Sequence, residues 1–223
     1  MFDLKEYILS LGCSDVGFCS IAGAKAGTLL DTYPESRGLN YAVSIVIKLS
    51  DAVIDGITDA PTHAYFHHYR TVNTHIDNVL LQAGMKIEEM GYRYIPVAAS
   101  QSINGLQGLF QHKTAARLSG LGGIGKSGLF ISNKFGARVR LGTLITDMPL
   151  EVGTPFCGDI CGGCRACVMA CPAMALENKS FSLDNPNDTI NRSLCSAYMK
   201  DAFKHIGRGA VCGICIKNCK FSE

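Results

Sequence analysis

Tryptophan is absent from this chain of 223 residues. So is any run of about 18 apolar residues, which leaves no candidate for a membrane-crossing helix. Charge of one sign is not in excess either. Twenty-one Lys and Arg face 19 Asp and Glu, a formal net charge of +2, and this gives no electrostatic case for nucleic acid or an anionic membrane as partner. Charged residues are scarce at 18%, against 47% hydrophobic, a balance that argues against long disordered tails and for a sizeable core. The opening Met1-Phe2-Asp3-Leu4-Lys5-Glu6 lacks the apolar centre of a signal peptide, so the expected compartment is the cytoplasm. Repeats of solenoid period and low-complexity tracts are missing too.

Cysteine is abundant instead, with 11 residues. In a reducing compartment such a number points to metal or cluster ligation rather than disulfides. Cys13 and Cys19 stand apart near the start and read as small buried residues. The other nine lie between Cys157 and Cys219. Asp147 to Pro155 reads as a junction, which divides the chain into an α/β domain over 1–152 and a cysteine-rich domain over 153–223.

Cys161, Cys164, Cys167 and Cys171 form C-x2-C-x2-C-x3-C with Pro172 directly after. This is the bacterial ferredoxin run, in which three cysteines grip one [4Fe–4S] cube and the fourth crosses to a second. A second set is therefore required, and Cys195, Cys212, Cys215 and Cys219 supply it. The exchange rule gives one cube to Cys161, Cys164, Cys167 and Cys219, and the other to Cys171, Cys195, Cys212 and Cys215. A zinc ribbon would use C-x2-C pairs but leaves the proline-terminated run unexplained. Cys157 is one more than two cubes need, and reads either as a loop thiol or as a substitute ligand.

The N-terminal part reads as α+β. Helices are expected at Phe2 to Leu11, from Phe66 to Met90 with Gly91 as its cap, and at His112 to Leu118. Strands are expected at Val16 to Ile21, Tyr41 to Leu49 and Tyr92 to Val97, the last either an edge strand or ending at Pro96, which lacks an amide hydrogen. Leu129 to Ser132 and Arg138 to Thr146 are expected to pair as a hairpin across Asn133 to Gly136, which favours antiparallel pairing over a doubly wound parallel sheet.

Gly120-Leu121-Gly122-Gly123-Ile124-Gly125-Lys126-Ser127 fits the phosphate-loop pattern G-x4-G-K-S. That pattern needs a strand before it and a helix after it. The order here is reversed, so a nucleotide-hydrolysing loop is a poor reading. The glycines either let backbone amides approach a phosphate-bearing cofactor, with Lys126 adding charge, or form a tight turn that binds nothing. Tyr65-Phe66-His67-His68-Tyr69-Arg70 is the densest polar cluster outside the cysteines. Tyr69 and His67 are candidate proton donors, against the plainer reading of a helix flank.

Taken together, His112 to Gly122, Ile124 to Ser127, Arg140 to Asp147 and the cysteine module with Cys195-Ser196-Ala197-Tyr198 resemble the epoxyqueuosine reductase family, which is related to the reductive dehalogenases. The resemblance implies a nitroreductase-like, cobalamin-binding α/β domain fed by two [4Fe–4S] clusters. It implies that His112, Lys113, Gly120, Gly122, Gly125, Lys126 and Ser127 lie against the corrinoid or its nucleotide tail. It also implies an electron donor such as a ferredoxin or flavodoxin. Family members that modify tRNA carry an aspartate where this chain reads Val97-Ala98-Ala99-Ser100-Gln101-Ser102, and a tryptophan where it has Gly123. An extra segment, Ile103 to Gly108, intrudes as well. The chain runs four residues past Cys219, and no RNA-binding extension is expected. These departures argue against tRNA as partner and for a short paralogue. Two readings stay open: a corrinoid-dependent reductase, or an accessory electron-transfer protein that reduces a corrinoid or flavin on a partner.

Overall fold

The computed structural model describes residues 2–222, and the chain folds as mixed α and β. It divides into two compact units, each assembled from three segments. One comprises Met1–Ile47, Val72–Leu121 and Arg140–Phe156; the other comprises Lys48–Thr71, Gly122–Val139 and Cys157–Glu223. Among the described residues no helix is long and apolar enough to cross a membrane.

The first unit is organised by a four-stranded sheet. Its strands are β1 (Asp15–Ser20), β2 (Tyr41–Lys48), β3 (Tyr94–Val97) and β6 (Val139–Thr146), in the order β1-β2-β6-β3. The β1–β2 and β3–β6 pairs are antiparallel. β3 lies at one edge of the sheet, where Pro96 has no ladder hydrogen bond to withhold. Every residue from Ala42 to Ile47 is buried, so β2 is covered on both faces and its near-continuous apolar run is explained.

One face of the sheet carries Cys19, Ala42, Val97 and Ile145, packed with Ala115 of helix α4 (His112–Leu118). The other face lies under α3 (His63–Glu89): a Cβ on Gly142 would come 2.5 Å from Ile76 and 2.9 Å from Ile45. The buried stripe of α3 is Val72, Ile76, Val79, Leu80, Ala83 and Ile87, the three-and-four spacing read from the sequence. Each large side chain in it contributes roughly 1.5–3 kcal/mol of burial. The helix ends where Gly91 takes φ 89° and the Tyr92 amide reaches back to the Ile87 carbonyl, a left-handed cap that relieves the last carbonyls. A short helix, α1 (Leu4–Ser10), is capped by the Asp3 carboxylate on the amides of Lys5 and Glu6.

The expected hairpin does not form. Strand β5 (Phe130–Ser132) pairs with β4 (Gly122–Ile124), inside the glycine-rich stretch, while β6 joins the four-stranded sheet. Gly122 permits this, because a Cβ there would collide with the Ile131 carbonyl of the partner strand. The backbone of the loop is thus committed to a small sheet of its own, and Asn133–Gly136 turns the chain without pairing the strands on either side.

The second unit also holds α2 (Asp51–Asp55), α5 (Ala166–Ala170), α6 (Arg192–Ala202) and α7 (Ile214–Lys217). These elements are short. The ligand-spaced cysteines sit on them and on the turns between them.

Candidate metal centre

Asp159 begins the site. Its carboxylate accepts the Cys161 amide at 2.9 Å and the Ser180 hydroxyl at 2.7 Å. With Ser180 the strongest of its donors, its carboxyl stays below the usual carboxylate range. The turn that follows is tight: Gly162 has φ 49° and the Cys164 amide bonds the Cys161 carbonyl. Cys167 lies on α5 and Cys171 caps its end. Cys195 is on α6, and Cys215 is on α7 just after Gly213, whose φ of 81° lets the chain turn between Cys212 and the helix.

These cysteines gather into two groups. Burial, then Cys161, Cys219 and Cys164, push the Cys167 thiol up to about 11. Burial also raises Cys161, with Asp159, Cys219 and Cys164 adding to it. In the second group, Cys195 is raised by burial, then by Cys212 and Cys171. Cys215, the most enclosed, is raised by burial and then by Cys212, Cys195, Cys167 and Cys171. Because Cys215 feels Cys167, the two groups are neighbours. Cysteine thiols crowded in this way repel as thiolates, and a bound metal group is what would offset that repulsion. Among the described residues no trio of Cys, His, Asp or Glu is drawn tightly enough to hold a single metal ion; a four-iron cube, being larger than one ion, spreads its thiolates further apart.

Backbone amides donate to sulfur. Lys126 bonds Sγ of Cys161 at 3.3 Å, and Ile214 bonds Cys212. Cys157 is exposed, four residues ahead of the first ligand-spaced cysteine.

The glycine loop is filled by protein. A Cβ at Gly120 would meet the Thr154 carbonyl, and one at Gly125 would lie 2.5 Å from Ile131 and 3.0 Å from Sγ of Cys161. Lys126 and Ser127 are buried, and Ser127 Oγ accepts the Leu129 amide at 3.4 Å. His112, at the start of α4, has both ring nitrogens engaged, Nδ1 with Thr143 Oγ1 at 2.9 Å and Nε2 with the Ala98 carbonyl at 3.1 Å. Burial holds it neutral, its pKa lowered to about 4. Lys113 follows it, half-buried on the same helix.

Of the candidate proton donors, His67 is exposed on α3, and Tyr69 stacks edge-on with Tyr65 at 6.4 Å between ring centres. The adjacent His68 accepts the Ser50 amide at 3.1 Å. Sequence reasoning missed Asp159, although an aspartate two residues before a ligand is the pattern of an Asx turn. It also missed the ion network in which Arg138 bonds Asp51 at 3.1 Å and Asp55 at 2.9 Å, while Lys217 bonds Asp55 at 2.6 Å. No local signal links residues so far apart in the chain.

Residues 160–222 match the family described as a 4Fe-4S double cluster binding domain, a stretch that includes all eight grouped cysteines and excludes Cys157. The chain is similar to epoxyqueuosine reductases and reductive dehalogenases. The epoxyqueuosine reductase of Aliivibrio fischeri is 37% identical over 146 residues, which cover 62% of this chain and 34% of that protein. The tetrachloroethene reductive dehalogenase of Sulfurospirillum multivorans is 30% identical over 144 residues, 61% of this chain and 27% of that one. Among solved structures, a reductive dehalogenase of B12-dependent dehalogenation superposes with a TM-score of 0.79 at 20% identity, over 99% of this chain and 31% of that chain. The epoxyqueuosine reductase from Streptococcus thermophilus gives 0.62 at 19% identity, over 98% and 65%. At these identities the structures share the fold. The chain spans less than two fifths of the curated relatives it matches. The resemblance read from the glycine and cysteine motifs is borne out.

Proposed function

We propose that this chain is an iron–sulfur redox protein that carries electrons through two [4Fe–4S] clusters. One is held by Cys161, Cys164, Cys167 and Cys219, and the other by Cys171, Cys195, Cys212 and Cys215. The observation that carries this reading is the gathering of those eight thiols into two adjoining foursomes within the double-cluster stretch. Bound clusters supply one-electron transfer at a potential tuned by hydrogen bonds to sulfur and by burial. The chain's own part is to hold the thiolates, to fix the first turn through Asp159, and to place the amides of Lys126 and Ile214 on Cys161 and Cys212. Electrons come from a ferredoxin or flavodoxin in the cytoplasm, and tRNA is not the partner.

A corrinoid accepts the electrons in the first reading, which makes the protein an oxidoreductase and its sheet-bearing unit nitroreductase-like. That reading draws on the B12-dependent relative. The residues expected against the corrinoid do not form a cradle for one: His112 has no ring nitrogen left over, and Gly120, Gly122 and Gly125 face protein atoms. The same observation favours a second reading, an accessory protein that reduces a corrinoid or flavin on a partner.

Anaerobic reconstitution tests both levels. About eight irons and eight sulfides per chain are expected for two cubes, and an iron-free folded protein would remove the proposal. Titration with cobalamin then separates the readings: a stoichiometric spectral shift supports the reductase, and an unchanged spectrum supports the accessory protein.

A further inference from the structure

Beside the first foursome of cysteines lies a hollow of about 760 Å³, lined in part by Lys48, Lys134, Arg138, Lys217 and Lys220. Two carboxylates, Asp51 and Asp55, share it. Five cations against two anions give this one face more positive charge than the whole chain, whose net is +2. Both carboxylates, though half exposed, are ion-paired: Asp51 bonds Lys48 at 2.5 Å and Arg138 at 3.1 Å, and Asp55 bonds Arg138 and Lys217. Arg138 is the deepest cation, with its guanidinium held by these acids. Lys134 and Lys220 are exposed at the rim of the hollow, beside half-exposed Asp51 and Asp55.

The hollow is tied to the cysteines by the chain itself. Ala166 in its wall directly precedes Cys167, Asn218 directly precedes Cys219, and Lys220 directly follows it. Phe221, half exposed, and Phe135 add apolar surface to the same wall. Aromatic side chains within a polar, solvent-accessible rim are the make-up of a protein-binding face. Rim charges of one sign speed and orient the encounter with an oppositely charged partner. A small anion would instead be gripped by the buried cation, and both terminal nitrogens of Arg138 are engaged by Asp51 and Asp55.

We propose that this hollow is the seat of an acidic electron-donor protein, and that electrons enter the chain at the cluster held by Cys161, Cys164, Cys167 and Cys219. This rests on the iron–sulfur reading above and names its partner face. The step is a one-electron transfer: the donor's reduced flavin or cluster is oxidised by one electron, the recipient cluster is reduced by one, and no bond is made or broken.

The test uses the full chain with clusters reconstituted anaerobically and its iron counted first. Stopped-flow reduction is measured with a photoreduced flavodoxin of acidic pI and, separately, with photoreduced deazaflavin, a small reductant that needs no docking face. In the double variant Lys134→Glu, Lys220→Glu, the flavodoxin rate should fall by roughly tenfold or more at low salt. The gap from wild type should close as salt screens the charges, and the deazaflavin rate should stay put. Lys5→Glu, an exposed change on α1, should leave both rates alone. A flavodoxin rate equal in wild type and double variant overturns the proposal. So does an equal loss with both reductants, which would assign the two lysines to cluster integrity. An iron-free wild-type chain would instead overturn the iron–sulfur reading itself.

Discussion

The backbone amide of Lys126 donates to Sγ of Cys161 across 3.3 Å, and the buried Lys126 side chain adds its charge near Asp159. A stretch that imitates a phosphate loop in sequence thus serves a cysteine in the fold. A cation beside a cluster favours the more negative, reduced state. Lys126→Met keeps the amide and removes the charge, so one cluster's midpoint potential should drop by an amount on the order of 50 mV, a one-electron couple moving about 59 mV per tenfold change in its equilibrium. A potentiometric titration followed by EPR reads it, and unchanged midpoints would refute it.

Gly125→Val asks the opposite question. Its side chain would press on Ile131 and on Sγ of Cys161. The expected outcome is a chain that folds yet binds about four irons rather than about eight. Full iron loading of the variant would show that the loop can move away from the cysteine.

The cysteine exchange predicts paired phenotypes. Cys171→Ser and Cys212→Ser should disturb the same EPR signal, although 41 residues separate them in the chain. Cys219→Ser should disturb the other signal, along with Cys164→Ser. Cys157→Ser should leave the iron count as it is. Disturbance of one signal by Cys171→Ser and Cys164→Ser together would assign the ligands differently.

Asp55 ties α2 to α7. Hydrogen bonds from Arg138 and then Lys217 hold its carboxyl at about 2, below the usual value near 3.9. A depressed carboxylate stabilises the fold fully above about pH 4 and loses that effect as the pH falls through 2. Asp55→Asn should therefore lower the unfolding midpoint at pH 6, and the difference from wild type should shrink toward zero by pH 2. A pH-independent difference would point to packing instead of charge.

His112 behaves in the reverse chemical sense. Burial lowers its pKa to about 4, while the unfolded side chain titrates near 6.5. Between those values the unfolded state binds the extra proton, so stability is undiminished above about pH 6.5, falls as the pH drops toward 4, and levels off below. The span corresponds to about 3 kcal/mol at most. Urea melts of wild type and His112→Gln across pH 4–7 measure it, with the slope expected only in wild type.

Gly84→Ala bears on how much could be read without a structure. Ala is the better helix former by about 1 kcal/mol, so α3 taken alone would gain from the change. In the fold a Cβ at Gly84 would run into the ring of Tyr94 on β3, and overpacking costs about 1–3 kcal/mol. The variant should be destabilised in thermal melts; a rise in melting temperature would mean the ring swings away freely.

The stripe of α3, the Gly91 cap, the edge or strand end marked by Pro96 and the ligand-spaced cysteines were all legible in the sequence. Each is written in residues a few places apart, where helix period, a missing amide hydrogen or the size of a cube dictates the spacing. Tertiary structure alone decided the rest. It gave β5 to β4 rather than to β6, because pairing partners are chosen by sheet packing and not by proximity in the chain. It set Lys217 on Asp55 across 162 positions, and it turned the glycine loop toward Cys161. Charges and glycines carry no mark of what they will meet, and only the folded chain brings their partners within bonding distance.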